Sequence, residues 1–326
     1  MPEFETVIPA SVIQPDIYEV LAFTPPVKPF EDYIPSVDRV APSVLINQGF
    51  FSETNESEFF HGELALDGRD VTLKFSTTGF IQNEYLGLSI LHANDVNVPE
   101  PIALVERDDQ PRIGIIMGRV FGDDFSDASS SENRFLLGRE VRRANEVSVP
   151  GFGLITENGA QFQNAQDYVE AEIATVMPHI QLDKNAPELL LKLWSEVGQD
   201  VAAQEPRFIH RDLKGRNVMV SESGDIVLID LEYWNGGDPL WDAGGFLFYV
   251  LRSGKPKAEF EDFLQGYTNG KEPTDSEKLR ILFYSLLSAG KFVELVARVD
   301  PGNIDYAING LDKVSTFVRD QLNKAA

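Results

Sequence analysis

Phe208-Ile209-His210-Arg211-Asp212-Leu213-Lys214-Gly215-Arg216-Asn217-Val218-Met219 is followed, after a short polar stretch, by Ile226-Val227-Leu228-Ile229-Asp230. An aspartate, an asparagine five residues on and a second aspartate closing an apolar run are the groups needed to take a proton from a hydroxyl and to hold magnesium against a polyphosphate. Asp212 would be the base. Asn217 and Asp230 would be the metal ligands, since hard divalent cations prefer oxygen. Lys214, two residues after the base, would reach a phosphoryl group in transfer and offset its growing charge. Arg216 is a second cation on the same loop, read first as a solvated one.

The spacing from His210 to Asn217 matches the kinase catalytic-loop pattern of His-Arg-Asp-Leu, three residues, then Asn. Such a loop needs a partner cation upstream for the alpha and beta phosphates. Lys74 fits, in the apolar strand Val71 to Phe75, with Glu84 ten residues later on the next helix as its ion-pair partner. Met117, where the strands give way to a different pattern near Gly118-Arg119, marks the expected hinge and is taken as a nucleotide contact. Gln48 to Asn55 is expected as a loop between the first two strands, either covering phosphate through Ser52 or the loop amides or serving as an ordinary hairpin loop, since it holds one glycine where protein kinases carry three.

Around these residues the chain changes character twice. Eight prolines precede residue 46, so residues 1–43 are expected to form an extended arm with little helix or central strand. Residues 44–118 read as strands, one helix, then strands. The segments 57–66 and 71–75 are joined by Asp67-Gly68-Arg69-Asp70, a hairpin signal. Ile81, Tyr85, Leu88 and Leu91 form a helical stripe. Residues 119–326 read as mainly helical, including Glu188 to Ala203 and Ser276 to Val296. The expectation is an α+β fold of two lobes, a small antiparallel sheet with one helix and a larger helical lobe, with a cleft between them.

Composition narrows the partners. The 326-residue chain has no cysteine, which removes disulfides and thiolate metal sites. Its four histidines are too scattered for a metal-binding helix face. A net charge of −24 repels nucleic acid and acidic membranes and would attract a cationic small molecule. No apolar run approaches a membrane span, and the N-terminus lacks the pattern of a secretory signal, so a cytoplasmic protein is expected.

Asp230-Leu231-Glu232-Tyr233-Trp234-Asn235-Gly236-Gly237-Asp238-Pro239-Leu240-Trp241-Asp242-Ala243 resembles the signature of the aminoglycoside phosphotransferase and choline kinase superfamily. Only eleven residues separate Asp230 from Asp242, too few for the peptide-docking activation segment of a protein kinase. The resemblance implies a bilobal protein-kinase-like fold, ATP or GTP as donor, magnesium as cofactor and a small-molecule hydroxyl as acceptor. It also implies a structural role for Asp242, bracing the catalytic loop. Arg211 and Lys214 depart from the His-Gly-Asp-Leu-His common among the antibiotic kinases. Val149 to Ile155 is similar to a Gly-Phe-Gly strand and turn of some antibiotic-kinase-like proteins. Asp167, Glu170 and Glu172 could pair with the amines of a cationic, aminoglycoside-like substrate but are read first as the solvated face of a helix. Glu232 and Asp238 are the better candidates for contacting a polar substrate. Tyr233, Trp234 and Trp241 could form an aromatic wall, with core packing the expected role of Trp241. Two alternatives stand beside that reading, a metabolic kinase of an amino alcohol or sugar and a nucleotide-binding pseudokinase without transfer activity.

Overall fold

The computed structural model describes residues 18–22, 38–40, 45–53, 57–64, 67–76, 80–107, 112–156 and 158–325. The chain divides into two compact units. Unit 1 reaches to Gly122 and includes Ser221–Ser223 and Val227–Tyr233; unit 2 holds Asp123–Val220, Gly224–Ile226 and Trp234–Ala326.

Unit 1 is built on β1 (Tyr18–Ala22), β2 (Asp38–Val40), β3 (Leu45–Glu53), β4 (Ser57–Leu64), β5 (Asp70–Ser76), β6 (Pro101–Arg107) and β7 (Arg112–Gly118), with α1 (Ile81–Ala93) after β5. The seven strands form one sheet in the order β2-β1-β6-β7-β5-β4-β3. The expected hairpin is present: Glu63 pairs with Asp70, Gly68 donates its N–H to the Leu64 carbonyl, and Gly68 holds φ 72°, which costs glycine nothing. Alternation along β5 places Val71, Leu73 and Phe75 in a core with Leu64, Ala103, Val105 and Ile116. The stripe predicted for α1 is buried throughout, with Ile81, Tyr85, Leu88 and Leu91 at most 3% exposed.

Two expectations for the early chain are corrected. The proline-rich segment supplies sheet strands: β1 pairs with both β2 and β6 and so lies inside the sheet, because residues 18–22 contain no proline and are apolar except for Glu19. The stretch read as a phosphate-covering loop is mostly strand. β3 runs to Glu53, and Ser52 pairs with Phe59. Aromatic residues at 50 and 51 favour a strand, and the register shifts around Gly49 and Phe50 absorb the irregular spacing. Residues 54–56 of that expected loop lie outside the described ones.

The remaining elements are β8 (Gly122–Asp124), α2 (Phe125–Ala128), α3 (Ser131–Glu146), β9 (Phe152–Thr156), β10 (Gly159–Phe162), α4 (Ala165–Ile180), α5 (Ala186–Ala202), β11 (Arg207–Ile209), β12 (Val218–Ser221), β13 (Ile226–Leu228), β14 (Asn235–Gly237), α6 (Leu240–Arg252), α7 (Lys257–Tyr267), α8 (Asp275–Val299) and α9 (Ile304–Ala325). In unit 2, α8 is the central helix and packs on α4, α5, α6 and α9. Its start is fixed by a capping box in which Thr274 and Glu277 satisfy each other's backbone N–H. A small sheet in the order β10-β9-β14-β11 completes the unit. The Gly-Phe-Gly motif serves this sheet. Gly236 on β14 lies so near β9 that a Cβ would sit 1.9 Å from the Gly151 carbonyl oxygen. Among the described residues no helix is long and apolar enough to cross a membrane.

Candidate active site

Unit 2 contributes the loop after β11. Its frame is Asp242, 1% exposed in the first turn of α6, whose carboxylate accepts the backbone N–H groups of His210 at 2.8 Å and Arg211 at 2.9 Å. The Asn145 side chain donates to the same carboxylate and to the Phe208 carbonyl, both at 2.8 Å. Three donors converging on one buried carboxylate hold the loop's backbone still. Phe208 stacks on Trp234 at 4.7 Å, which anchors the strand leading into it.

On this frame Asp212 and Lys214 form an ion pair through Oδ2 and Nζ. Asn217 donates Nδ2 to the Asp212 carbonyl and to its Oδ2, each at 2.9 Å. These bonds use the amide nitrogen and leave the amide oxygen as a ligand atom. Asp212, Lys214 and Asn217, nominated separately from sequence, are thus brought into one cluster.

Arg211 occupies the position where glycine is more common in the resembling antibiotic kinases, and it holds φ 70°. The other described non-glycine residues with left-handed φ are Asp95, Asp230 and Asn269, types that tolerate it. Arg211 is held there by its side chain. The guanidinium lies over Trp241 at 4.6 Å, donates to the Tyr168 hydroxyl and pairs with Glu172 at 3.1 Å. Burial disfavours its charge, but Tyr168 and Glu172 more than offset this and raise its pKa. Burial pushes the Tyr168 phenol up to about 12, so it remains a neutral donor and acceptor.

Unit 1 contributes a second cluster. Lys74 projects from β5 opposite to the core-facing Leu73 and Phe75. Its Nζ lies 2.7 Å from Glu84 Oε2 on α1 and 2.7 Å from Asp230 Oδ1. Burial would lower the Lys74 pKa, yet Glu84, Asp230 and Glu232 together raise it, so the lysine is charged at any physiological pH. Burial moves Glu84 upward, against the pull of Lys74. Ligand oxygens of Glu84, Asp230 and Glu232 all lie within 4.8 Å of one another. Oxygen ligands of this kind are those a hard divalent cation takes, and Glu84 and Asp230 here already hold the Lys74 ammonium. Glu232 was nominated from sequence as a substrate contact; its 4% exposure and its place among these carboxylates make it part of the charge cluster. Met117 is 7% exposed within β7, opposite Thr72 and Pro101, in strand and not in a linker.

Several nominated substrate contacts are engaged elsewhere. Asp238 is 2% exposed and accepts from Arg280 at 2.9 Å, Tyr284 at 3.1 Å and the Leu240 N–H at 3.0 Å. Glu172 is shared by Arg211 and Lys291. Asp167 accepts from the helix cap Asn164, and Glu170 from Gln166. Trp234 and Trp241 are core residues at 0% and 2% exposure, leaving only Tyr233 of the expected aromatic wall in contact with solvent. Arg280 and Tyr168 escaped the sequence reading because each sits in a helical pattern with no motif around it.

A family model described as the phosphotransferase enzyme family matches residues 63–282. No curated protein matches the chain. Among solved structures, a thermostable mutant of the aminoglycoside phosphotransferase APH(4)-Ia, in ternary complex with AMP-PNP and hygromycin B, is 20% identical with a TM-score of 0.64. The match covers 84% of this chain and 94% of that one. An aminoglycoside phosphotransferase from Alicyclobacillus acidocaldarius is 12% identical, with a TM-score of 0.59 over 86% of this chain and 93% of the other. Spectinomycin phosphotransferase APH(9)-Ia, in complex with ADP and spectinomycin, is 12% identical, with a TM-score of 0.52 over 84% and 92%. At these identities the likeness is one of fold.

Proposed function

This chain belongs to the phosphotransferase enzyme family and is a small-molecule kinase, and from that premise we propose that it moves the terminal phosphoryl group of ATP or GTP to the hydroxyl of its acceptor in a magnesium-dependent reaction. The observation that carries this is the Asp212 carboxylate, held by Lys214 and Asn217 on a loop braced by Asp242. A base needs a fixed position more than an unusual pKa. Asp212 takes the hydroxyl proton as the acceptor oxygen bonds to phosphorus and the bond to the nucleoside diphosphate oxygen breaks. Lys214 lies beside Asp212 to meet the charge on the phosphoryl oxygens. Lys74, kept cationic and oriented by Glu84, binds donor phosphates. Asn217 and Asp230 are the residues that would hold magnesium, which when bound neutralises charge on the phosphates. Ser52 and Met117 remain proposed nucleotide contacts. Ser52 lies on β3 and Met117 on β7.

Two acceptor classes have support. An aminoglycoside-like acceptor is favoured by the ligands of the structural neighbours, hygromycin B and spectinomycin. A metabolic hydroxy compound, such as a sugar or amino alcohol, is favoured by the engagement of Glu172 and Asp238 in internal ion pairs, which leaves them unavailable to substrate amines. The test is ADP formation over a panel of aminoglycosides, choline, amino alcohols and sugars, for wild type and Asp212→Asn. Stimulation by one compound, lost in the variant, is expected. Equal turnover in both proteins would remove Asp212 as the base. Nucleotide binding without turnover for any acceptor would favour a pseudokinase.

A further inference from the structure

Beside Asp212, unit 2 carries two cations for which the reaction above has no use. Arg252 ends α6 with its guanidinium packed against three rings, 4.1 Å from Phe292, 5.1 Å from Phe248 and 5.8 Å from Tyr306. Its buried Nε donates to nothing, and among the described residues the side chain has no carboxylate partner. This is notable in a chain with 52 acidic side chains against 28 lysines and arginines. Arg134, Arg211 and Arg280 of the same unit each close on a carboxylate. Arg216, exposed on the catalytic loop, likewise lacks one among the described residues.

A side-chain contact links the catalytic loop to the helix that carries Arg252. Gly215, between Lys214 and Arg216, lies against the Tyr249 side chain that α6 extends toward the loop, since a Cβ there would sit 2.8 Å from the Tyr249 hydroxyl. Arg252 follows Tyr249 by one turn on the same helix face. The charges feel one another: burial lowers the Arg252 pKa, Asp212 opposes that shift, and Arg216 adds to it. A guanidinium pressed against rings and denied a counter-ion is costly to keep. Its planar fork is also pre-organised, since the rings fix the side chain before any ligand arrives.

We propose that Arg216 and Arg252 form an anion subsite beside the catalytic base, so that the acceptor is a small hydroxy compound carrying a carboxylate or phosphate, gripped there while its hydroxyl meets Asp212. The inference rests on Asp212 being the base of a phosphotransferase. The chain's net negative charge does not oppose it, because charges beyond roughly 8–10 Å are screened at physiological salt and the local cations decide. Tyr306, 54% exposed, is the solvent-side wall of the subsite. Its place in α9, helix-distant from the catalytic motifs in sequence, is why the subsite has no linear signature.

Two measurements test this. With ADP and magnesium saturating, inorganic sulfate titrated calorimetrically binds the wild type, and binds Arg216→Gln and Arg252→Gln roughly 10- to 100-fold more weakly, the worth of a charge-assisted hydrogen bond. Sulfate that does not bind the wild type, or that binds the variants equally well, overturns the proposal. Arg252→Lys keeps charge and stem where Arg252→Gln fails to fold, and Arg216→Gln lies on the surface. The second measurement is ADP formation with matched acceptors: glycerate, glycerol 3-phosphate and glycerol; gluconate and glucose; serine and ethanolamine. An anionic member is expected to be the substrate, with Arg216→Gln raising its KM roughly 10-fold while kcat is nearly kept. Turnover of neutral or cationic members alone overturns the subsite and leaves the phosphotransferase reading standing. Transfer unaffected by Asp212→Asn overturns that reading instead.

Discussion

The two charged clusters are built on opposite plans. In unit 1, Lys74 and Glu84 are sealed at 3% and 2% side-chain exposure, with Asp230 at 34%. In unit 2, Asp212 and Lys214 keep 32% and 20%. A sealed pair is fixed whether or not a ligand is present, and its partners depend on each other for their folded charge state. A half-open pair can exchange partners, as the proposed base Asp212 would do in giving up a lysine contact to accept a proton. Damage to unit 1 should therefore register as lost stability together with weakened nucleotide binding. Damage to the pair of Asp212 and Lys214 in unit 2 should register almost wholly as lost turnover.

The strongest way to break this contrast is Asp212→Asn. Turnover is expected to fall ~100-fold or more, the usual worth of a positioned base. The urea midpoint should stay near that of wild type, because the residue is part-exposed and an asparagine keeps the Asn217 contact. A large stability loss in this variant would erase the distinction. Next in size is Glu84→Ala, which leaves the buried Lys74 with Asp230 as its hydrogen-bonded partner and Glu232 nearby. Breaking a buried pair costs about 3–5 kcal/mol, and the remaining Asp230 contact places the expected loss near about 3 kcal/mol by denaturant unfolding. Replacing both residues, as Lys74→Met with Glu84→Leu, should recover much of that stability without recovering nucleotide affinity.

Arg211→Gly sharpens the comparison within unit 2. Glycine relaxes the left-handed φ, returning roughly 1 kcal/mol, but the variant loses the Trp241 stacking and the Glu172 pair. Lys291 still neutralises Glu172, so the net loss should be only about 1–2 kcal/mol. Turnover should fall several-fold with little change in nucleotide KM. The reverse pattern, with KM altered and turnover kept, would show that the guanidinium does not position the loop.

How far the sequence revealed these clusters follows from the range of the interactions. Asp212, Lys214 and Asn217 lie within six residues of chain, so their spacing alone brings them into one cluster. Lys74 and Glu84 were legible because a strand and the helix after it form one local unit. Asp230 pairs with them from a distance in chain of over a hundred residues, and only the kinase-like order of motifs suggested it. Of the carboxylates nominated for substrate, Glu172 and Asp238 have internal ion-pair partners that the sequence did not show, because sequence shows a charge but not its partner. Arg280 sits in an apolar stretch of α8 and claims Asp238 from 42 residues away. The edge of the sheet was misread for a related reason. Proline count over residues 1–43 dominated the reading, while the five proline-free residues 18–22 decided the pairing.

The smallest effect concerns a unit 1 group whose charge is suppressed instead of sealed. His61 on β4 is drawn down from 6.5 to about 4, chiefly by burial, with Arg119 adding to the shift and Asp70 opposing it. Its Nδ1 lies 3.1 Å from the Thr72 hydroxyl, a contact the neutral ring can accept. Between these two pH values the unfolded chain binds a proton that the folded chain refuses. Stability must then fall as pH drops from 6.5 toward 4 and be independent of this group above 6.5. Because the ring is only half buried, solvent screening reduces the effect to about 1–2 kcal/mol. His61→Gln keeps a hydrogen-bonding group without the titration. The difference in unfolding free energy between wild type and this variant, followed from pH 7 to 4, should change by that amount, with wild type losing more. A difference that is flat across the window would mean that the folded chain accepts the proton, and that unit 1 tolerates an added charge its sealed plan should exclude.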